Sequence, residues 1–344
     1  MVPLDMASAV RVLPVVFAWF AASTVCTSAS KATLLDLTPH KCAFALTASQ
    51  FVLSAVFSLA ILAVMGKKPV IPEQARSATV AIGLVYTAGF ALLNLSLGRL
   101  AASFAETVRG LEPIFTALFA VLFRVRGGRL GPRAGGSLGA LLCGAAVVVY
   151  SQPALSLSGL TLGLLANLMF AARSLLTTSA QDRVGRTSLE ANALFFYQHL
   201  IGSLVMVPLA LLSGGSTCVE LTLTHAVAPK AALMSAAAFF AYNRLSLSVL
   251  LMLDAVSHSV CNALRRAVTI GVAALLFSTK LDAPTITGIV IIICGSTSYA
   301  LGSARDRAEA AAAEQEEEER TTLKAEGDAE GAVSERRASD VETQ

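Results

Sequence analysis

The chain has 344 residues, 55% hydrophobic and 14% charged, with mean hydropathy +0.68. A soluble domain carries about 25% charged residues, so this composition excludes an ordinary water-soluble enzyme and points to a polytopic all-α membrane protein. The net charge of +3 hides an asymmetry: residues 303–344 hold 13 acidic and 6 basic side chains, net −7, which leaves +10 on residues 1–302.

A bilayer core of about 30 Å needs about 20 apolar residues per helix. Ten runs meet that length, at about 12–30, 42–65, 78–98, 101–123, 135–150, 156–178, 190–213, 228–250, 255–277 and 284–302. Breaks fall at turn-forming or charged clusters such as Gly66-Lys67-Lys68-Pro69 and Ser213-Gly-Gly-Ser216. Residues 1–11 are expected to be a short cytosolic N-terminus, and residues 303–344 a solvated acidic tail without a core of its own. Only about eleven residues precede the first run, so no cleavable leader is expected, and the first span is the insertion signal.

Loop charge sets the orientation. With the N-terminus in the cytosol, the cytosolic loops hold Lys67, Lys68, Arg76, Arg124, Arg126, Arg129, Arg133, Arg183 and Arg186. The opposite loops hold little more than Arg99, Lys230 and Lys280. Ten spans then return the C-terminus to the cytosol. The basic residues are scattered rather than gathered in one solvated stripe, so nucleic-acid binding does not follow.

The two halves, 12–152 and 153–302, echo each other. Cys143-Gly144 recurs as Cys294-Gly295, 151 residues on, and Ala-Val-Leu-Phe123 as Ala-Leu-Leu-Phe277, 154 residues on. Five spans is an odd number, so a duplicated unit sits inverted in the membrane. The expected fold is ten transmembrane helices in two inverted five-helix repeats. Gly135-x-x-x-Gly139 and Gly159-x-x-x-Gly163 are read as close-packing positions between helices.

Six cysteines show no CxxC and no zinc spacing, and five of them lie in apolar runs, so a disulfide framework is not expected. The four histidines are isolated from one another, which suggests no metal site, and no cofactor is implied. There is no P-loop, HExxH, GxSxG or catalytic carboxylate pair, so neither an enzyme nor an ATP-driven pump is expected. Asn94-Leu-Ser96 matches a glycosylation sequon but lies at or inside a helix end, and Arg336-Arg-Ala-Ser339 fits a basic-directed kinase site.

What remains is charge inside the spans: Lys31, Arg109, Glu112, Arg173, Arg265 and Arg266. A guanidinium at bilayer depth costs at least about 2.5–3.5 kcal/mol, so it must line a wet cavity or meet an anion. Arg109 has Glu112 one turn on and is read as its ion-pair partner or as an anion ligand. Glu112-Pro113 is expected to shape its helix, because proline removes a backbone bond.

The stretch Leu93-Asn-Leu-Ser-Leu-Gly-Arg-Leu-Ala-Ala-Ser-Phe-Ala-Glu-Thr-Val-Arg-Gly-Leu-Glu-Pro113 resembles the fourth-helix region of the triose-phosphate translocator family, within the drug/metabolite transporter superfamily. Tyr242-Asn243, Ser257-His-Ser-Val-Cys-Asn-Ala-Leu-Arg-Arg266, Trp19 through Lys31, and Asn167-x-x-Phe170-x-x-Arg173 resemble further family motifs. The resemblance covers roughly residues 12–302. It implies a ten-helix antiporter that exchanges a phosphorylated sugar or three-carbon organic phosphate for inorganic phosphate. It also implies phosphate binding by the positions that are here Arg109, Tyr242, Arg265 and Arg266.

Lys31, Leu93, Glu106, Glu112 and Arg173 are then candidate substrate or gate residues. This chain departs from the family's pattern in several places. Two family lysines are Arg109 and Arg265, a threonine is Leu93, and a histidine is Glu106. Arginine keeps the charge but forks differently around a phosphate.

The partners implied are a small anionic organic phosphate, inorganic phosphate and the lipid bilayer. An endoplasmic reticulum or Golgi membrane is expected, with the plastid envelope as the alternative. A nucleotide-sugar carrier of the same superfamily is the second functional reading. A non-transporting scaffold acting through the acidic tail is the third.

Overall fold

The computed structural model describes residues 6–306, apart from 38, 124–129, 153–155, 186–188, 225–227 and 254, together with 308–309, 312 and 315. Arg124, Arg126, Arg129 and Arg186 of the loop-charge bias lie outside the described residues, as do most of the acidic tail and Ser339.

The α-helices in chain order are α1 (Met6–Asp36), α2 (Pro39–Val64), α3 (Arg76–Arg99), α4 (Ala102–Arg109), α5 (Glu112–Leu122) and α6 (Pro132–Ser151). They continue as α7 (Leu157–Val184), α8 (Ala191–Leu212), α9 (Gly215–Thr224), α10 (Ala228–Met252), α11 (Ala255–Leu276) and α12 (Ala283–Asp306). Among the described residues there is no strand. Nine of these helices are long and apolar enough to cross a membrane: α1, α2, α3, α6, α7, α8, α10, α11 and α12.

The expected fourth span, 101–123, is two shorter helices instead. Pro113 explains the break. It has no N–H to give to the carbonyl four residues back, and its ring crowds that carbonyl, which belongs to Arg109. Helix α4 accordingly ends at Arg109, and α5 restarts with Pro113 in its first turn. A non-helical backbone is tolerated at membrane depth only where protein or a cavity satisfies it. Three other helices do so here. Asn167 Nδ2 on α7 donates to the Val108 carbonyl at 2.7 Å, and Ser296 Oγ on α12 donates to the Gly110 carbonyl at 2.7 Å. Arg266 Nη1 on α11 donates to the freed Arg109 carbonyl. Gly110 is pressed so closely against α12 that a Cβ there would meet Ile292 Cγ2 at 2.6 Å.

The other ends follow familiar chemistry. Ser156 caps α7 by accepting from the Gly159 N–H at 3.2 Å. Asp36 Oδ2 accepts from the Ala228 N–H, holding the start of α10 to the end of α1. Gly66 and Gly214 follow α2 and α8 with φ of +64° and +91°, the left-handed conformation that glycine adopts without strain.

The main packing pairs α1 with α10, α3 with α7, and α2 with α8. One apolar cluster joins α3, α4, α6, α11 and α12 around Leu100, Phe104, Leu141 and Ile292. A second is aromatic, with Phe51, Tyr86, Phe90, Phe170 and Phe239 meeting edge to face or tilted. Outward positions such as Phe17, Val64, Leu212 and Leu275 are exposed and apolar, as a lipid-facing surface requires.

Two expectations change. Gly159 and Gly163 do admit close neighbours, Leu100 and Val108, but Gly135 and Gly139 have nothing within 4 Å of a built Cβ. That pair faces outward and is no helix-packing motif here. Cys42 and Cys218 form a disulfide, joining α2 to the short helix α9. The spacing gave no hint of it, because the two cysteines are 176 residues apart and meet only through the fold.

Candidate functional site

The site is built where the α4–α5 break meets α11, α10 and α1. Arg109 ends α4 and is 8% exposed. Its Nη1 donates to Glu106 Oε1 at 3.2 Å and its Nη2 to the Tyr242 hydroxyl at 3.3 Å. The guanidinium also lies 5.8 Å from the centroid of Phe170. Tyr242 therefore links α10 to α4.

Its ring faces the other cation. The Arg265 guanidinium stacks 5.1 Å from the Tyr242 centroid and 5.6 Å from that of Trp19. Arg265 is fully buried. Its Nε donates to Asn262 Oδ1 at 3.0 Å and its Nη1 to Ser23 Oγ, while Nη2 has no partner. Among the described residues no carboxylate pairs with it.

Arg266 points the other way around α11. Its Nη2 donates to Glu112 Oε2 at 2.8 Å, and its Nη1 takes the Arg109 carbonyl. The expected Arg109–Glu112 pair is thus replaced by two pairs, Arg109–Glu106 within α4 and Arg266–Glu112 between helices. The reason is the break: once the helix stops at Arg109, residues 109 and 112 no longer share a helical face.

A cavity opens beside this cluster, walled in part by Thr27, Asn94, Glu106, Arg109 and Tyr242. A second reaches Arg266. The two share Glu106 in their walls. Buried polar atoms without a partner collect at the cluster: Glu106 Oε2, Arg109 Nε, Arg265 Nη2 and Arg266 Nε. Such atoms are costly to bury unless something arrives to satisfy them.

The remaining sequence candidates separate. Leu93 lines the larger cavity. Lys31 Nζ donates to the carbonyls of Leu97 and Leu100 at 2.8 and 2.7 Å, so it satisfies the C-terminal end of α3. Arg173 Nε donates to Gln198 Oε1 at 3.2 Å and its guanidinium lies 4.6 Å from the Tyr86 centroid, away from the cavity wall.

Sequence reasoning missed a polar wall. Gln50 Nε2 donates to the hydroxyls of Ser30 and Ser235, and its Oε1 accepts from Asn94 Nδ2 at 2.9 Å. Ser23, Thr27 and Ser30 recur on one face of α1, and all three line the cavity. That spacing was a signal available in the sequence. Among the described residues no group of three or more His, Cys, Asp or Glu side chains is placed to hold a metal ion.

Comparison with known proteins gives the family context. The family model described as Triose-phosphate Transporter family matches residues 10–300. A chloroplastic phosphoenolpyruvate/phosphate translocator 1 of Oryza sativa subsp. japonica is 26% identical over 239 residues, 68% of this chain and 58% of that protein. A chloroplastic triose phosphate/phosphate translocator of Flaveria trinervia is 25% identical over 235 residues, 66% of this chain and 56% of that protein. This chain thus spans under two thirds of the length of those relatives. A crystal structure at 14% identity shares the fold alone, with a TM-score of 0.50 over 84% of this chain and 98% of the other.

Proposed function

Because the chain belongs to the Triose-phosphate Transporter family, we propose that it is a secondary antiporter that exchanges a phosphorylated sugar or three-carbon organic phosphate for inorganic phosphate. One observation carries this reading. Arg109 of α4 and Arg265 of α11 meet on Tyr242 beside a cavity, Arg266 is the next residue along α11, and among the described residues Arg109 and Arg266 pair with a carboxylate while Arg265 does not. Arg265 is left as a buried cation with a free donor. A phosphate offers oxygens that accept several charge-assisted bonds at once, which matches Arg265, Arg109, Arg266 and the Tyr242 hydroxyl.

Exchange follows from the same charge. An uncompensated buried cation costs several kcal/mol, so the empty occluded state is disfavoured. A bound anion offsets that cost, and the loaded carrier rocks between inward- and outward-open states more readily than the empty one.

Ten spans in two inverted five-span halves suit such a carrier, the tenth span being the broken α4–α5 segment. The packing supports that reading: exchanging first-half and second-half spans turns the α1–α10 contact into α7–α3, and both are extensive. Broken helices at a midplane site are a recurrent carrier design. A cytosolic N-terminus places the Cys42–Cys218 disulfide on the opposite face. A disulfide persists in an oxidising compartment, which favours an endomembrane lumen. The chloroplastic relatives keep the plastid envelope as the alternative.

The test is uptake of labelled inorganic phosphate by reconstituted vesicles. Phosphate-loaded vesicles are expected to trade label rapidly and empty vesicles to take up little. Comparable uptake into both would contradict exchange, and none into either would contradict phosphate transport.

A further inference from the structure

Glu106 is the one member of the cluster whose free atom is an acceptor. It is 3% exposed and sits among three guanidinium groups, yet only one of its oxygens is used. Oε1 accepts from Thr27 Oγ1 at 2.9 Å and from Arg109 Nη1 at 3.2 Å. Oε2 is buried without a partner, in a residue that lines both cavities. Three donors of the same cluster, Arg265 Nη2, Arg109 Nε and Arg266 Nε, also lack partners. The chamber is therefore bipolar, with donors for an oxyanion and one anionic acceptor for something else.

We propose that Glu106 selects the organic part of the cargo, accepting phosphomonoesters whose organic part carries a hydroxyl or ammonium donor and rejecting those with a carboxylate beside the phosphate. This rests on the phosphate reading above and deepens it. A phosphate held on the arginines brings the atoms one or two bonds further out against the Glu106 carboxylate. A hydroxyl or ammonium there supplies the hydrogen bond that Oε2 lacks. A carboxylate there places two anions in contact and leaves both without donors, the kind of repulsive element by which sites discriminate.

The other charges facing Glu106 do not remove the conflict. Arg265 is taken by the phosphate itself, Arg109 is already shared with Tyr242, Arg266 with Glu112, and Thr27 spends its proton on Oε1. Gln50, Asn94 and Ser30 on the cavity wall are committed to one another.

The experiment is competition against labelled phosphate exchange in phosphate-loaded vesicles. 2-Hydroxyethyl phosphate and 2-phosphoglycolate differ by a CH₂OH in place of a carboxylate on the carbon that bears the phosphate. Phosphoethanolamine and phosphoenolpyruvate extend the comparison. In the wild type, 2-hydroxyethyl phosphate and phosphoethanolamine are expected to compete about a hundredfold better than 2-phosphoglycolate and phosphoenolpyruvate. In Glu106→Gln that ratio is expected to shrink to less than about tenfold, whatever the variant's overall rate.

Equal competition in the wild type would overturn the proposal even if the variant fails to fold. An unchanged ratio in a folded Glu106→Gln would overturn the role of Glu106. Loss of all wild-type phosphate exchange would overturn the transport reading together with this one. Exchange with equal competition would overturn this one alone.

Discussion

Arg265 and Arg266 are neighbours in the chain and live in different surroundings. Arg265 is held by a serine, an asparagine and two aromatic faces, and Arg266 by a carboxylate and a carbonyl. Changing Arg266 to alanine leaves Glu112 unpaired and the Arg109 carbonyl without its donor. Phosphate exchange is expected to be lost, while the variant still inserts and purifies as a monodisperse species by size exclusion. Near-normal exchange would move the site away from this residue. Tyr242→Phe keeps the ring under Arg265 and removes the hydroxyl that Arg109 uses. Hydrogen bonds to charged groups contribute about 1.5–3 kcal/mol, so apparent phosphate affinity is expected to fall about tenfold or more in a competition assay. The arginines were legible from sequence because a charge in an apolar run is conspicuous. Their partners were not, because pairing depends on where the helix breaks.

At the scale of elements, the α4–α5 break organises the site. Sequence pointed to Glu112-Pro113 as a shaping feature, but the apolar run 101–123 reads as one span, since hydropathy does not register a missing backbone bond. Pro113→Ala returns an N–H that can bond the Arg109 carbonyl, in competition with Arg266. Straightening of the segment is expected, with exchange falling at least about tenfold. Unchanged exchange in that variant would show that the break is incidental.

Helix α9 was not expected, because residues 215–224 are too short and too polar for a span. With it comes the tie from Cys218 to Cys42. Disulfides typically contribute about 2–4 kcal/mol. Cys218→Ser is expected to lower the melting temperature in detergent by several degrees, measured against the oxidised wild type. An unchanged midpoint would indicate that this tie does not hold the fold.

On the scale of the whole molecule, the all-helical class and nine of the ten expected spans follow from composition and the length of apolar runs. The face of each helix did not, since spans that are apolar all round carry no amphipathic signal. Contacts outside the membrane also had no sequence signature. Lys67 Nζ meets Glu190 Oε1 at 2.9 Å, joining the α2–α3 and α7–α8 connections. The hydrogen bond from Lys67, then that from Asn192, holds the Glu190 carboxyl below its usual range. A depressed acid contributes stability above its unfolded pKa and loses it as pH falls through the folded one. The bridge therefore persists at neutral pH and loosens only below the ordinary carboxylate range. Lys67→Ala is expected to shift that step in a thermal-stability profile upward in pH, and an unmoved step would mean the bridge has no part in it.

The central claim is that guanidinium groups from two helices meet one phosphate. Equilibrium binding of inorganic phosphate to the purified protein tests it most directly, with Arg109→Ala, Arg265→Ala and the double variant alongside the wild type. Each single change is expected to weaken binding by about tenfold or more, and the double change to abolish measurable binding. Wild-type affinity retained in both single variants would contradict the account.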